Sequence, residues 1–308
     1  MINQQSSPFS RPVVLFLCAL TACGLWGSAI PAIKLVYRAF DVDTSNAGSL
    51  LLFAGVRFAL AGLLVLVFFG VHTRKPPLPA KRDWGKVLVI AAFQTVIQYL
   101  CYYIGLAHTT GVTAAIVVGT NSFFTILLAT LVFRTERLTA MKTVGCLAGF
   151  LGVIAAQVGK GTQLAFTMEG EGLILLSAVS AALSAVLISR YSQQVSPVTI
   201  SGWQFLLGGV ILAAAGIALG GQWELTTPGG LAALLYLALV SAVAYTLWSL
   251  LLQYNPVSRV TVFGFLTPVF GVLLSAALLG ESDLSIQVLL GLVLVCAGIF
   301  AVNFKKNA

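Results

Sequence analysis

Residues 111–156 are written a second time at 257–302, and a chain built on that duplication has few folds open to it. The first copy runs GVTAAIVVGTNSFFTILLATLVFRTERLTAMKTVGCLAGFLGVIAA and the second VSRVTVFGFLTPVFGVLLSAALLGESDLSIQVLLGLVLVCAGIFAV. Glu136 falls on Glu281, and one inserted residue then brings Gly145 onto Gly291 and Gly152 onto Gly298. The match extends backwards: residues 54–66 lie over 201–213, which sets Arg57 on Gln204, and Tyr99 and Tyr102 lie over Tyr245 and Trp248. Every offset stays between 145 and 147 in a chain of 308 residues, so the repeat unit is half the molecule.

Hydrophobic residues make up 59% of the chain and charged ones 8%, against about 25% charged in a soluble domain. A bilayer core about 30 Å thick needs about 20 apolar helical residues to cross it. Ten segments qualify, near 13–37, 47–71, 85–107, 111–133, 139–158, 172–191, 197–219, 230–252, 257–279 and 285–304. Five fall in each half, and because five is odd the second half enters the membrane from the opposite side. The expected fold class is therefore an all-α integral membrane protein, ten transmembrane helices as two inverted five-helix repeats. Residues 1–12 read as a disordered lead, 13–158 as the first repeat, 159–171 as an external linker, 172–304 as the second repeat and 305–308 as a basic end.

The net charge of +8 does not call for nucleic acid, because placement explains it. With both termini cytoplasmic, thirteen of the seventeen Lys and Arg lie inside, among them Arg74, Lys75, Arg134, Arg137 and Lys142, and only Lys34, Arg38 and Lys160 face out. The expected location is the bacterial cytoplasmic (inner) membrane. All five cysteines sit in apolar spans, so no metal site and no disulfide are expected.

Trp26-Gly27 followed by Lys34, Arg57-Phe58 in the second span, Glu136-Arg137-Leu138 ahead of Gly145 and Gly152, and Thr267-Pro268 with Glu281 in the second half carry a family resemblance. The chain resembles the EamA-type transporters of the drug/metabolite transporter superfamily over nearly its whole length, although Ser122-Phe123 stands where the first copy would have the family's proline. That resemblance implies a ten-span metabolite or drug exporter whose central cavity is lined mainly by spans 1, 3, 4, 6, 8 and 9. Trp26 and Phe265 lie on two of those spans.

On the third span Gln94, Thr95, Gln98, Tyr99 and Tyr102 occupy about 140° of a helical wheel. The eighth answers with Ser241, Tyr245, Trp248 and Ser249, and a polar aromatic stripe in both halves favours a shared cavity over a lipid face. Asn121 in the fourth span and Ser180 and Ser184 in the sixth are further substrate-binding candidates, with helix packing the competing role for the serines. Arg57 and Gln204 are read either as structural or as contacts to a substrate carboxylate. Pro31 and Pro268 are expected to break their helices, and Glu136 and Glu281 to cap or lock helix ends. Gly48, Gly55 and Gly62, and Gly202, Gly209 and Gly216, are spaced by seven and point to close helix packing.

These features favour a secondary transporter, an exporter of a small polar or amphipathic metabolite such as an amino acid, working by alternating access without a cofactor. The expected partners are that substrate and the lipid bilayer, and the chain is expected to act as a monomer, with a dimer as the alternative. A channel-like or structural membrane protein is the competing class. An intramembrane enzyme fits least, since no carboxylate or histidine lies inside a span. The same lack argues for facilitated transport or exchange over a proton relay through a buried carboxylate.

Overall fold

The computed structural model describes residues 7–39, 46–108, 114, 117–157, 166–222, 228–279 and 286–303. Ten helices follow one another in them: α1 (Pro12–Ala39), α2 (Ala47–Thr73), α3 (residues 84–107), α4 (Val117–Val132), α5 (Ala140–Gln157), α6 (Met168–Tyr191), α7 (Pro197–Ala218), α8 (Pro228–Tyr254), α9 (residues 257–279) and α10 (Ile286–Asn303). No strand occurs among the described residues. Helices α1, α2, α3, α6, α7 and α8 are long and apolar enough to cross a membrane, and the other four contain shorter apolar helices. The chain is an all-α membrane protein of ten helices.

Its polarity is that of a molecule dissolved in hydrocarbon. Leu63, Val67, Phe68 and Val71 on α2 and Leu289, Leu290, Val293 and Phe300 on α10 are exposed, while Thr95, Ser184, Gln204 and Ser241 are buried.

Two antiparallel helix pairs join the halves, and both depend on glycine. On α2 and α7 the two seven-residue series face each other: a Cβ at Gly216 would sit 2.7 Å from the Gly48 carbonyl oxygen, and one at Gly209 would sit 2.7 Å from that of Gly55. Gly62 meets the backbone of Gly202 and Leu206 in the same way. On α5 and α10, Gly145 lies against the Gly298 carbonyl and Gly152 against that of Gly291, each 2.7 Å from a built Cβ. Backbones this close gain dispersion contacts that larger residues would hold apart.

Irregular turns interrupt the helices near the centre. In α3 a π segment spans Ala91–Ile97, and Ser180 of α6 donates to the Phe93 carbonyl at 2.6 Å. In α9 a 3-10 turn at Val262–Phe265 precedes Pro268, whose missing N–H leaves the Gly264 carbonyl without an α-helical partner. Pro31, by contrast, does not break its helix: α1 continues through it to Ala39. Gly27, the residue whose carbonyl Pro31 cannot bond, packs directly on Phe270 and Gly271 of α9, and one lost backbone bond is tolerated in a long apolar helix packed on a neighbour.

Part of the N-terminal lead, read from composition as disordered, is structured. Pro8–Ser10 form a 3-10 turn, Phe9 stacks on Tyr254 with ring centroids 6.1 Å apart, and Asn255 Nδ2 donates to the Phe9 carbonyl at 3.0 Å. One aromatic anchor and one side-chain amide outweigh the polarity of the segment. Residues 1–6, 158–165 and 304–308 lie outside the described residues, and with them the start of the linker and the basic end; the linker's last residues, from Met168, are helical and form the first turn of α6, because Thr167 caps them by accepting from the Gly170 N–H.

Gly209→Ala should destabilise the fold by about 1–3 kcal/mol, because its methyl would also sit 2.8 Å from Ala59 Cα. Gly24→Ala, with nothing within 4 Å of its Cβ, should leave the melting temperature in detergent unchanged or raise it.

Candidate functional site

Residues related by the repeat meet where the two halves touch. Tyr99 of α3 and Tyr245 of α8, separated by the repeat displacement of 146, share a hydrogen bond between their hydroxyls at 2.5 Å. Phe58 of α2 and Phe205 of α7, also repeat equivalents, stack with centroids 5.2 Å apart and planes 4° from parallel. Each half then closes the square: Phe58 lies 4.4 Å from the Tyr99 ring, and Phe205 lies 4.8 Å from that of Tyr245. Four rings thus surround a pseudo-two-fold axis. Sequence reasoning had placed both tyrosines here and missed both phenylalanines, although the alignment that pairs Tyr99 with Tyr245 also pairs Phe58 with Phe205.

Further aromatic groups extend the cluster unequally. Trp26 of α1 sets its edge against Tyr245 at 4.9 Å and against Trp248 at 5.0 Å. Tyr103, also missed, lies 6.2 Å from Tyr99 and 5.6 Å from Tyr102 and is 4% exposed, so Tyr102 joins the cluster through it. Gln98 reaches the Tyr245 hydroxyl, and Gln94 is buried one turn earlier. Thr95 donates to Gln204 Oε1 at 2.5 Å and ties α3 to α7 beside the rings.

Other candidates from the sequence are engaged in packing. Ser180 caps the Phe93 carbonyl, Ser184 bonds the Ala181 carbonyl at 2.8 Å, and Ser249 accepts from Ser201 at 3.2 Å. Phe265 lies against Gly149, where a Cβ would strike its ring. Asn121 turns its Oδ1 to Thr125 of its own helix at 3.1 Å. A crease of about 520 Å³ between α2 and α7 is lined by Leu60, Leu63, Leu206, Val210 and other apolar side chains, and it has no polar group to orient a ligand.

The end of the bundle that carries the N-terminus is tied across the halves. Glu136, just after α4, accepts from the backbone N–H of Ser258 at 3.1 Å and from the Ser258 hydroxyl, and it pairs with Lys142 at 2.6 Å. Its carboxylate thus sits at the N-terminus of α9, where the helix dipole favours negative charge. Close by, Lys86 bridges Asp83 and Gln194, each at 2.5 Å, and Trp203 Nε1 donates to the Pro77 carbonyl at 2.9 Å. Its repeat partner Glu281 lies outside the described residues.

Comparison with known proteins adds a family. The model described as the EamA-like transporter family matches residues 14–156 and again 168–304. A WAT1-related chloroplastic protein of Arabidopsis thaliana is 25% identical over 292 residues, 92% of this chain and 67% of its own. A Salmonella typhimurium protein named "Probable amino-acid metabolite efflux pump" is 28% identical over 260 residues, 81% of this chain and 84% of its own. The uncharacterized inner membrane transporter YedA of Escherichia coli is 28% identical over 277 residues, 89% of this chain and 86% of its own. A solved crystal structure has a TM-score of 0.78 at 18% identity, covering 95% of this chain and 97% of that one, and so shares the fold.

Glu136→Gln should cost about 1–3 kcal/mol, because it leaves the Lys142 ammonium and the Ser258 donors with a neutral partner in a site where the carboxylate is 8% exposed. In a double-mutant cycle with Lys142→Met, the double variant should lose less than the sum of the single losses. Additive losses would mean that the two side chains do not interact.

Proposed function

This chain belongs to the EamA-like transporter family and is a membrane transporter, and we propose that it exports a small polar or amphipathic metabolite, an amino acid or a related compound, by alternating access. The observation that carries this reading is the Tyr99–Tyr245 hydroxyl pair, held between repeat equivalents at the junction of the halves. In inverted-repeat carriers the substrate lies at that junction, and rocking of one half against the other exposes it to each side in turn. A pair of phenols that hydrogen-bond each other can each bond a substrate instead. Trp26, Trp248, Gln98 and Tyr102 supply faces and edges for an amphipathic molecule. The name of the Salmonella relative supports both export and the amino-acid class.

On this reading the contacts from Glu136 to Ser258 and from Lys86 to Gln194 close one side of the pathway, and they part when that side opens. The acids among the described residues, Asp83, Glu136, Glu169 and Glu171, stand at helix ends, with Glu171 accepting from Thr167 in the first turn of α6. No carboxylate among them sits at the ring cluster to carry a proton, so the transport is facilitative or exchange-driven.

Counterflow of labelled amino acids in proteoliposomes checks this. Trp248→Ala should reduce exchange at least tenfold, and Trp248→Phe should restore part of it by returning a ring to Trp26. A pH gradient imposed at equal substrate should move nothing. Wild-type exchange in Trp248→Ala would remove the ring cluster from the pathway, and sustained uphill accumulation would overturn the facilitative reading.

We place the protein in the cytoplasmic membrane with both termini inside, on the clustering of Lys and Arg at one end of the bundle. In a cysteine-free background on intact cells, an impermeant maleimide should label a cysteine at Glu169 and spare one at Lys75. The opposite pattern would invert the topology.

A further inference from the structure

Several N–H donors around the ring cluster have no acceptor. Arg57 stands on α2 next to Phe58, 6% exposed, and its Nε and Nη1 are buried with no hydrogen-bond partner among the described residues. Its guanidinium carbon lies 4.5 Å from the centroid of the Phe58 ring, which itself touches Tyr99 and Phe205. Gln204, the repeat equivalent of Arg57, is 1% exposed; its Oε1 accepts from Thr95 while its Nε2 is unpartnered among the described residues. Trp26 Nε1 is unpartnered in the same sense, and its ring lies against Tyr245 and Trp248. Three helices from both halves thus bring N–H donors to one cluster whose acceptors among the described residues, the tyrosine hydroxyls and Gln204 Oε1, are engaged elsewhere and carry no charge.

Buried donors without acceptors are uncommon in folded proteins, and a buried guanidinium without a counter-charge is less common still, because arginine keeps its charge at every physiological pH. Its neighbours do not resolve this. The Phe58 ring face offers an attraction but no lone pair, and a structural clamp would need carbonyl acceptors, which the described residues do not supply to Nε or Nη1. Water would give acceptors without charge. A carboxylate gives both: it is acceptor-only, has about four lone-pair sites, and matches the guanidinium fork in bidentate fashion.

We infer that Arg57, with Gln204 and Trp26, forms a carboxylate-recognition site, so that the molecules carried are organic carboxylates whose apolar part lies against the ring cluster. This rests on the reading of that cluster as the substrate site. The positive charge comes from one half and the amide from the other, so the ligand bridges the two bodies that move.

The test is a thermal-shift screen of the full chain in detergent. The probes are the twenty amino acids, two- to six-carbon mono- and dicarboxylates, size-matched carboxamides and primary amines, and inorganic phosphate. Shifts are expected from carboxylates, with the amide of each binding at least tenfold more weakly. Arg57→Gln should abolish the shift, while its unliganded melting temperature stays at or above that of the wild type, since an unpaired buried charge has been removed. Arg57→Lys, which keeps the charge and loses the fork, should weaken binding at least tenfold without abolishing it. The inference is overturned by the absence of any carboxylate among the hits, by carboxylate shifts that survive Arg57→Gln, or by an unliganded Arg57→Gln that melts well below the wild type, the mark of a structural clamp. Neutral or cationic hits that Trp248→Ala removes would overturn the carboxylate and leave the ring cluster standing as the substrate site. No shift from any class, together with no counterflow, would count against both.

Discussion

Backbone contact between α2 and α7 is the constraint from which the centre of this molecule follows. With Gly48, Gly55 and Gly62 set against Gly216, Gly209 and Gly202, the two helices lie closer than any side chain would permit, and they run antiparallel about a local two-fold axis. Midway between Gly55 and Gly62 the two helices then have to meet at their own repeat equivalents. Phe58 stacks on Phe205 for that reason, and the tyrosines they support, Tyr99 and Tyr245, come within hydrogen-bonding distance. The second glycine pair, α5 with α10, repeats the construction away from the axis and fixes the two halves at another point. Lipid supplies no hydrophobic force between helices, so dispersion at close range and interhelical hydrogen bonds carry the association.

The hydrogen-bonding side chains divide into two groups. Ser180, Ser184 and Thr125 bond backbone carbonyls of α3, α6 and α4, and the first of these bonds falls in the π turn of α3, where water is absent. Tyr99, Tyr245 and Thr95 bond other side chains, and those bonds can be exchanged for bonds to a ligand without unwinding a helix. The distinction separates residues that maintain the scaffold from residues that can respond to an occupant.

The fold was legible because duplication, segment length and charge placement each limit the alternatives, and they agree. The glycine series were legible as packing, and the structure adds which series faces which. At the centre, Tyr99, Tyr245 and Trp248 could be read because polar aromatic groups stand out in an apolar helix. Phe58 and Phe205 could not, since a phenylalanine in a transmembrane segment looks the same whether it meets lipid or its own repeat partner. Serine stripes carry the converse ambiguity: the spacing of Ser180 and Ser184 gives a face, and only the structure shows that Ser180 bonds a carbonyl of α3 while Ser184 bonds one of its own helix. Pro31 shows the limit of local rules: α1 runs on as a helix through a residue that removes one of its hydrogen bonds.

A dimer of identical halves would hold its two access states at equal free energy, because exchanging the halves would turn one state into the other. This chain keeps that equivalence in the glycines that pair its helices and in its four central rings, and departs from it at many other positions, among them Arg57 against Gln204, Tyr102 against Trp248 and Ser122 against Pro268. On the alternating-access reading proposed above, the side to which the carrier opens when nothing is bound is set at the positions where the repeat departs from itself, and a guanidinium in one half against an amide in the other is the departure that carries a full charge.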